Sequence, residues 1–467
     1  MTKYGKPRGP LHGLPISIKD TFRVKGYDAS IGIASLCFKE CTTNSTLVDL
    51  LLEAGAVIYC KTNIPQTLMA LDSHNNIFGR TLNGSNLKLT PGGSSGGEGA
   101  LVAMRGSILG IGTDVGGSVR IPAMCNGLYG IKPSHGRIPY ANQEGGSLPG
   151  SEVLTVRASA GPIAHSVRDC ELLFKAISDQ KAWEMDPEVV AQSWEGQDAL
   201  EPRLSSMTEA EPVRIGVVRS DGVTTPLPPI AHLLDEVADK LRAASPELAT
   251  SAIEVVDLDM TALLSRCQSL INGIFSIDGA NTMFDLLDAT HEPLSPWLQT
   301  RLRRRPRQDA NKIRELQAKR NDMQTEFLKI WSEKGGYWRS RKNDGKAKLD
   351  AIICPVAPHP VPEVDSWNTA SYTSSFVLLD YPAGTLPIRN VKQADLKGEV
   401  PSGKPLSSWD KYNRSLWSDV DRSVYLGSSL CLQVIVPRLQ ERKLTAVMGM
   451  LDRVLQSQSQ GSGKAKL

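Results

Sequence analysis

The stretch PGGSSGGEGALVAMRGSILGIGTDVGGSVRIPA, residues 91–123, contains ten glycines and four serines. Glycine permits positive φ and close backbone approach, and it costs conformational entropy wherever neither is needed. Such density in a folded domain points to backbone N–H groups aimed at a ligand. A phosphate and a developing oxyanion are the two candidates, and a long flexible loop is the plain alternative.

Three chemistries compete for the stretch. GIGTDVG (110–116) offers a loosened dinucleotide fingerprint, which requires a helix to open on the loop and face pyrophosphate. The following SVRIPA, with Val119, Ile121 and then Pro122, reads as a poor helix start. A nucleophile elbow G-x-S-x-G matches around Ser94 and again around Ser95. GGEGALVAM after it reads as a helix, whereas NGSNLKLTP before it is a poor buried strand, and the histidine partner would have to be His359 in APHPVP. The third reading needs two serines and a lysine. Ser94 opens a helix, Ser118 follows the pair Gly116–Gly117, and the interval has room for that helix and a returning strand. Lys19 ends the apolar run GLPISIKD and is deliverable to the same place; Ser–Lys pairs are an attested acyl-transfer variant.

Outward from this stretch, short apolar runs alternate with helical patterns. LPISI (14–18), AVIYC (56–60), VRIGVV (213–218), AIEVVDLD (252–259), LDAIICPV (349–356) and LCLQVIV (430–436) read as strands. STLVDLLLEAG (45–55), with Ser45 as N-cap and Gly55 as stop, reads as a helix, as do 166–177, 228–244, 308–333 and 443–455. The alternation predicts an α/β fold, a mixed or mainly parallel sheet flanked by helices. One large domain over 1–455 and a disordered tail over 456–467 is the simplest division, with surface insertions at 335–348 and 391–410.

Bulk properties narrow the function. A net charge of +3 gives no reason to expect nucleic acid or an anionic membrane as the main partner. RLRRRPR (301–307) reads as a solvated helix face. No apolar run is long enough for a membrane span, and MTKYGKPRGPLHG lacks the core of a secretory signal. The eight cysteines include no C-x-x-C pair; buried free thiols, no metal site and a reducing cytoplasm are the expectation.

GGSSGGEGALVAMRGSILGIGTDVGGSVRIPAMCNGLYGIKPSHGR resembles the signature of the amidase signature family along nearly its whole length. GPLHGLPISIKD resembles the family's lysine motif, and AGAVIYCKTNIPQTLMALDSHNNIFGRTLN the segment between them. SAGPIAHSVRDCELLFKAI, LLDYPAGTLPI and CLQVIVPRLQERK are similar to later parts, with the weakest likeness between about 180 and 350. The wording is most similar to fungal acetamidase-like and fatty-acid-amide-hydrolase-like enzymes.

The resemblance implies the amidase-signature fold, a mixed sheet with helices on both sides, and hydrolysis of carboxylic amides without metal or cofactor. It implies Ser118 as nucleophile, Ser94 as a bridge after a cis Gly93–Ser94 peptide, and Lys19 as base. Backbone amides of Val115, Gly116, Gly117 and Ser118 would bind the oxyanion, and only glycine lets a turn present successive N–H groups so closely. Ser95 is expected in support, with Asp114 and Arg120 as an internal structural pair. Leu68 and Met69 fall where relatives place apolar side chains near the acyl site, although core packing explains them equally well. Lysine ordinarily titrates near 10.4, so a catalytic Lys19 requires burial to lower it by about 2 to 3 pH units.

The substrate expectation is a small-molecule amide, with a homodimer allowed. Pocket-lining residues are expected from the weakly similar middle, including LINGIFSIDGANTMFDLL (270–287). Relatives usually carry a helical segment before the lysine motif, whereas here Lys19 lies eighteen residues after Met1. The alternative expectation is therefore an N-terminally truncated, catalytically silent protein that acts as a binding partner.

Overall fold

The computed structural model describes residues 5–197, 212–245, 249, 252–331 and 349–460. Ten of its strands form one mixed sheet. In chain order they are β1 (Pro15–Lys19), β2 (Val57–Thr62), β5 (Leu109–Asp114), β6 (Tyr129–Lys132), β7 (Ser159–Ala164), β8 (Val213–Val218), β9 (Ile253–Leu258), β10 (Ala351–Pro355), β11 (Ala383–Asn390) and β12 (Ser429–Ile435). A separate two-stranded ribbon is made by β3 (His74–Asn75) and β4 (Gly79–Arg80). The sheet order is β2-β1-β5-β7-β6-β11-β12-β10-β8-β9. Pairing is parallel near both edges, β2 with β1 with β5 and β10 with β8 with β9, and antiparallel between.

Strand alternation sends successive side chains to opposite faces. Ala351 and Ile353 join the larger apolar cluster, while Ile352 and Cys354 join a second one on the other face. The first face is covered by helices α1 (Thr46–Glu53), α4 (Val167–Ser178), α5 (Pro228–Arg242) and α9 (Glu441–Gln460), whose apolar stripes feed the larger cluster. On the other face lie α2 (Gly96–Ala103), α3 (Arg120–Asn126), α6 (Thr261–Phe275), α7 (Ala310–Leu328) and α8 (Ser371–Leu378). In β1, Ile16 and Ile18 join the larger cluster, so Ser17 and Lys19 face the α2 side. That division places the lysine.

The structure corrects several local expectations. SVRIPA does enter a helix, α3. Pro122 falls in its first turn, where N–H groups have no intrahelical partner in any case, and Asp114 Oδ2 accepts from the N–H of Val119 and Arg120 at 3.2 and 3.5 Å. With those amides taken, the helix start offers pyrophosphate little. Ser45 precedes α1 but does not cap it with its side chain; Oγ accepts from Arg23 N and donates to Asn142 O instead. Residues 301–307 are irregular, not helical, and exposed except for the half-buried Leu302. There Arg304 pairs with Asp285 and Asp288, and Arg307 with Asp278, on the preceding segment. All eight cysteines are free, but only five are buried; Cys37, Cys41 and Cys60 are partly exposed.

The last helix runs to Gln460, past Leu455 where the sequence pattern ends it, and 461–467 lie outside the described residues, as does the insertion at 335–348. Among the described residues no helix is long and apolar enough to cross a membrane.

Candidate active site

β1 and β5 are adjacent and parallel, so their carboxyl ends open on one edge of the sheet. In open α/β sheets that edge is where ligands bind. Lys19 closes β1, Thr113 and Asp114 close β5, and the loop after Asp114 leads through Ser118 into α3. Ser94 and Ser95 stand at the start of α2 beside them, after a cis Gly93–Ser94 peptide.

Lys19 is 1% exposed. Its Nζ donates to Ser94 Oγ at 2.7 Å, to Thr113 Oγ1 at 2.9 Å and to Thr113 O at 3.4 Å. Among the described residues no carboxylate touches it. Burial lowers its pKa to about 7, although the charges of Asp114 and Glu98 pull in the opposite direction. The neighbouring Asp20 is engaged elsewhere, in an ion pair with Lys61 at 3.1 Å and as acceptor from Ile31 N.

Ser95 is fully buried and clamps the two halves of the site. Its Oγ accepts from Thr113 N at 3.3 Å and lies 3.4 Å from Thr113 O, while its backbone N donates to Ser118 O at 3.2 Å. Gly112 leaves room for it, since a Cβ there would lie 2.7 Å from Ser95 Oγ. Ser118 is 7% exposed, and its Oγ has no hydrogen-bond partner among the described residues. The Ser94–Ser118 hydroxyl contact that the resemblance implies is therefore not made in this state.

The loop between Asp114 and Ser118 is held from both ends. Arg120 donates to Asp114 through Nε at 3.0 Å and Nη2 at 3.1 Å, and through Nη1 to Gln433 Oε1 at 3.0 Å. Burial would raise the Asp114 pKa, but the Arg120 guanidinium holds it below the usual carboxylate range. Removing either partner of so buried a pair strands a charge and costs about 3 to 5 kcal/mol. From the other side, Thr373 Oγ1 on α8 donates to Gly116 O at 2.6 Å. Between these anchors the N–H groups of Val115, Gly116, Gly117 and Ser118 donate to no group among the described residues. Gly117 has φ +145°, in the region glycine favours.

The remaining expected residues are less engaged. Leu68 has φ +64° and packs partly buried beside Ile31, Ile33 and Met283, and Met69 is 44% exposed. Of the middle segment, Phe275 reaches the site, lying 3.8 Å from the Cβ position of Gly116. His359 is buried against Trp367, with Nδ1 at 2.8 Å from Pro360 O, and burial pushes its pKa down to about 4. Among the described residues it makes no hydrogen bond with Ser94 or Ser118. Sequence reasoning missed Thr113, Glu98 and Thr373. Thr113 and Glu98 lie inside the glycine stretch, where a polar residue amid small ones was the available signal; Thr373 comes from far along the chain and carried none.

The family model described as Amidase matches residues 1–445. An acetamidase of Aspergillus oryzae is 36% identical over 453 residues, covering 96% of this chain and 78% of the relative. An acetamidase of Emericella nidulans is 35% identical over 455 residues, with 97% and 78% covered. Among solved structures, a fatty acid amide hydrolase superposes with a TM-score of 0.81 at 28% identity, covering 97% of this chain and 75% of that one.

Proposed function

The chain belongs to the amidase family and is an amide-hydrolysing enzyme, and we propose that it works through an acyl-enzyme on Ser118, with Ser94 relaying protons to and from Lys19. The observation that carries this reading is the buried Lys19 amine, bound to a serine hydroxyl at 2.7 Å and touched by no carboxylate among the described residues. A lysine so placed is neutral often enough near pH 7 to act as a base, which an exposed lysine is not.

In the proposed sequence Lys19 takes the Ser94 proton as Ser94 takes that of Ser118, and Ser118 Oγ bonds to the amide carbon. The carbonyl oxygen becomes an oxyanion, received by the unpaired N–H groups of residues 115–118. The proton returns through Ser94 to the leaving nitrogen, the C–N bond breaks, and amine or ammonia departs. Water, deprotonated by the same relay, then releases the acid. The relay requires the Ser94 and Ser118 hydroxyls to meet when substrate is bound, a contact of the kind that commonly tightens only in the substrate complex.

Ser95 has a supporting role through Thr113 and the Ser118 carbonyl. Asp114 and Arg120 fix the loop without touching the reacting atoms. The relatives' names, acetamidase and fatty acid amide hydrolase, keep the substrate class at carboxylic amides.

A serine-directed fluorophosphonate probe followed by peptide mapping tests the reading. Label is expected on Ser118, absent in Ser118→Ala, and at least about 100-fold slower in Lys19→Ala, the scale of lost general-base catalysis. Label on another residue, or a folded Lys19→Ala variant reacting at the parental rate, would overturn it.

A further inference from the structure

One buried carboxylate in α2 takes no part in the chemistry described so far. Glu98 is fully buried and makes no ion pair among the described residues. Ser17 Oγ donates to its Oε2 at 2.6 Å, and Thr62 Oγ1 donates to its Oε1 at 2.6 Å. On β5, Gly110 carries no side chain where Oε2 sits; a Cβ there would collide with that oxygen. The sheet thus gives up side-chain packing at Gly110 to admit a charged group. An apolar residue would fill the same space at far lower desolvation cost.

The tethers show what the carboxylate holds. Ser17 precedes Lys19 by two residues on β1 and shares its face, and Thr62 is the last residue of β2. α2 begins directly after Ser94 and Ser95. Glu98 therefore ties the helix whose start carries the serines to the strand that presents the lysine.

Building on the Ser118–Ser94–Lys19 reading, the geometry points to Glu98 as a positioning residue of the hydrolysis, one that fixes α2 against β1 and β2 and presents a negative charge toward the Lys19 amine. The ammonium formed when Lys19 takes up the serine proton is then opposed by a buried charge that never touches substrate. Proton and electron bookkeeping in the reaction is unchanged, because Glu98 forms and breaks no bond.

Electrostatics support the pairing. Burial pushes Glu98 up to about 7 against its two hydroxyl donors, into the range where Lys19 titrates. The charged and titratable groups facing Lys19 are Asp114 from β5 and Glu98 from α2; those facing Glu98 are Lys19 from β1 and Tyr59 and Cys60 from β2. Asp114 acts on Lys19 more strongly but is paired with Arg120, whereas Glu98 has no ion pair among the described residues.

The test is the pH profile of fluorophosphonate labelling at Ser118 for the parent, Glu98→Gln and Thr62→Val. Removing the carboxylate charge makes Lys19 a weaker base. The acid limb is therefore expected to move to lower pH in Glu98→Gln, raising the ratio of labelling at pH 6 to that at pH 9 by about threefold or more. Thr62→Val, which withdraws a donor that favours the ionised carboxylate, is expected to move the limb the same way by less. A limb unmoved in either folded variant, with label still on Ser118, overturns the role of Glu98 and leaves the acyl-enzyme reading intact. Loss of Ser118 labelling in the parent would instead overturn that reading, and this role with it.

Discussion

Thr113 Oγ1 accepts a hydrogen bond from Lys19 Nζ at 2.9 Å, and the carbonyl oxygen of the same residue lies 3.4 Å from that nitrogen. A neutral primary amine has two N–H donors and one lone pair. As an ammonium Lys19 donates to Ser94 and to both Thr113 acceptors; once neutral, its two N–H groups are matched by the two Thr113 acceptors, which leaves the lone pair toward the Ser94 hydroxyl. One residue at the end of β5 thereby orients the amine proposed as the base.

Thr113→Val keeps the shape of the side chain and removes one acceptor. The net worth of such a hydrogen bond is about 1 kcal/mol, so Ser118 labelling is expected to slow by about 3- to 10-fold without changing its site. A stopped-time labelling series measures this. An unchanged rate would mean that the hydroxyl is a spectator and that the carbonyl alone orients the amine.

The pH dependence follows from the same amine. Lys19 must be neutral to accept a proton, and its pKa lies at about 7. Acylation is expected to rise by about tenfold per pH unit below that value and to level off above it. kcat/KM for a simple amide, taken between pH 5 and pH 9, reports the limb in the free enzyme. A flat profile across this range would remove Lys19 as the base.

Burying Lys19 also carries a stability cost with a definite sign. The unfolded chain binds a proton on this lysine below about 10.5, whereas the folded chain binds it only below about 7. Between those values the unfolded state holds more protons, so this group makes the fold more stable as pH rises through the window. At pH 7 the penalty is on the order of 4 kcal/mol, offset in part by the hydrogen bonds to Ser94 and Thr113. Lys19→Met, of similar length and no charge, is expected to abolish labelling yet unfold at higher denaturant than the parent at pH 7, with the difference shrinking toward pH 10. A Met variant less stable than the parent at pH 7 would show that the hydrogen bonds outweigh the desolvation.

Six of the sheet's ten strands were legible as apolar runs, whereas β6, β7 and β11, poor in such runs, were not read as strands, and the glycines were only half legible. VRIGVV was readable to the residue because β-branched runs between turn signals have few alternatives. The glycine stretch announced a backbone-built site, and Gly116 and Gly117 lie in the loop before Ser118 with N–H groups that donate to no group among the described residues. Gly110 and Gly112, however, make room for Glu98 and Ser95 across the helix–sheet interface. A sequence shows that a side chain is missing but not which neighbour fills the space. SVRIPA was misread as a poor helix start because the acceptor of its first amides, Asp114, lies before it and outside its own run of residues. Thr373, brought in from α8, was beyond local reading altogether.

The loop over residues 115–118 gives the sharpest test of the backbone's proposed role. Gly117 has φ +145°, and a Cβ there would strike Thr373 Oγ1 and lie 3.1 Å from Ile121 Cγ1. Gly117→Ala must therefore move the loop, and Thr373 with it, turning the amides of Gly116 to Ser118 away from their common target. Losing one oxyanion donor costs about 10²- to 10³-fold in rate. Gly117→Ala is expected to lose at least that much in kcat while keeping the acid limb of the parent near pH 7, because Lys19, Ser94 and Thr113 are untouched. Thr373→Val, which frees the Gly116 carbonyl without adding bulk, is expected to show a smaller loss of the same kind. The decisive comparison is kcat against pH for the two variants. A Gly117→Ala enzyme within tenfold of the parent would place the oxyanion donors outside residues 115–118, whatever the fate of the triad.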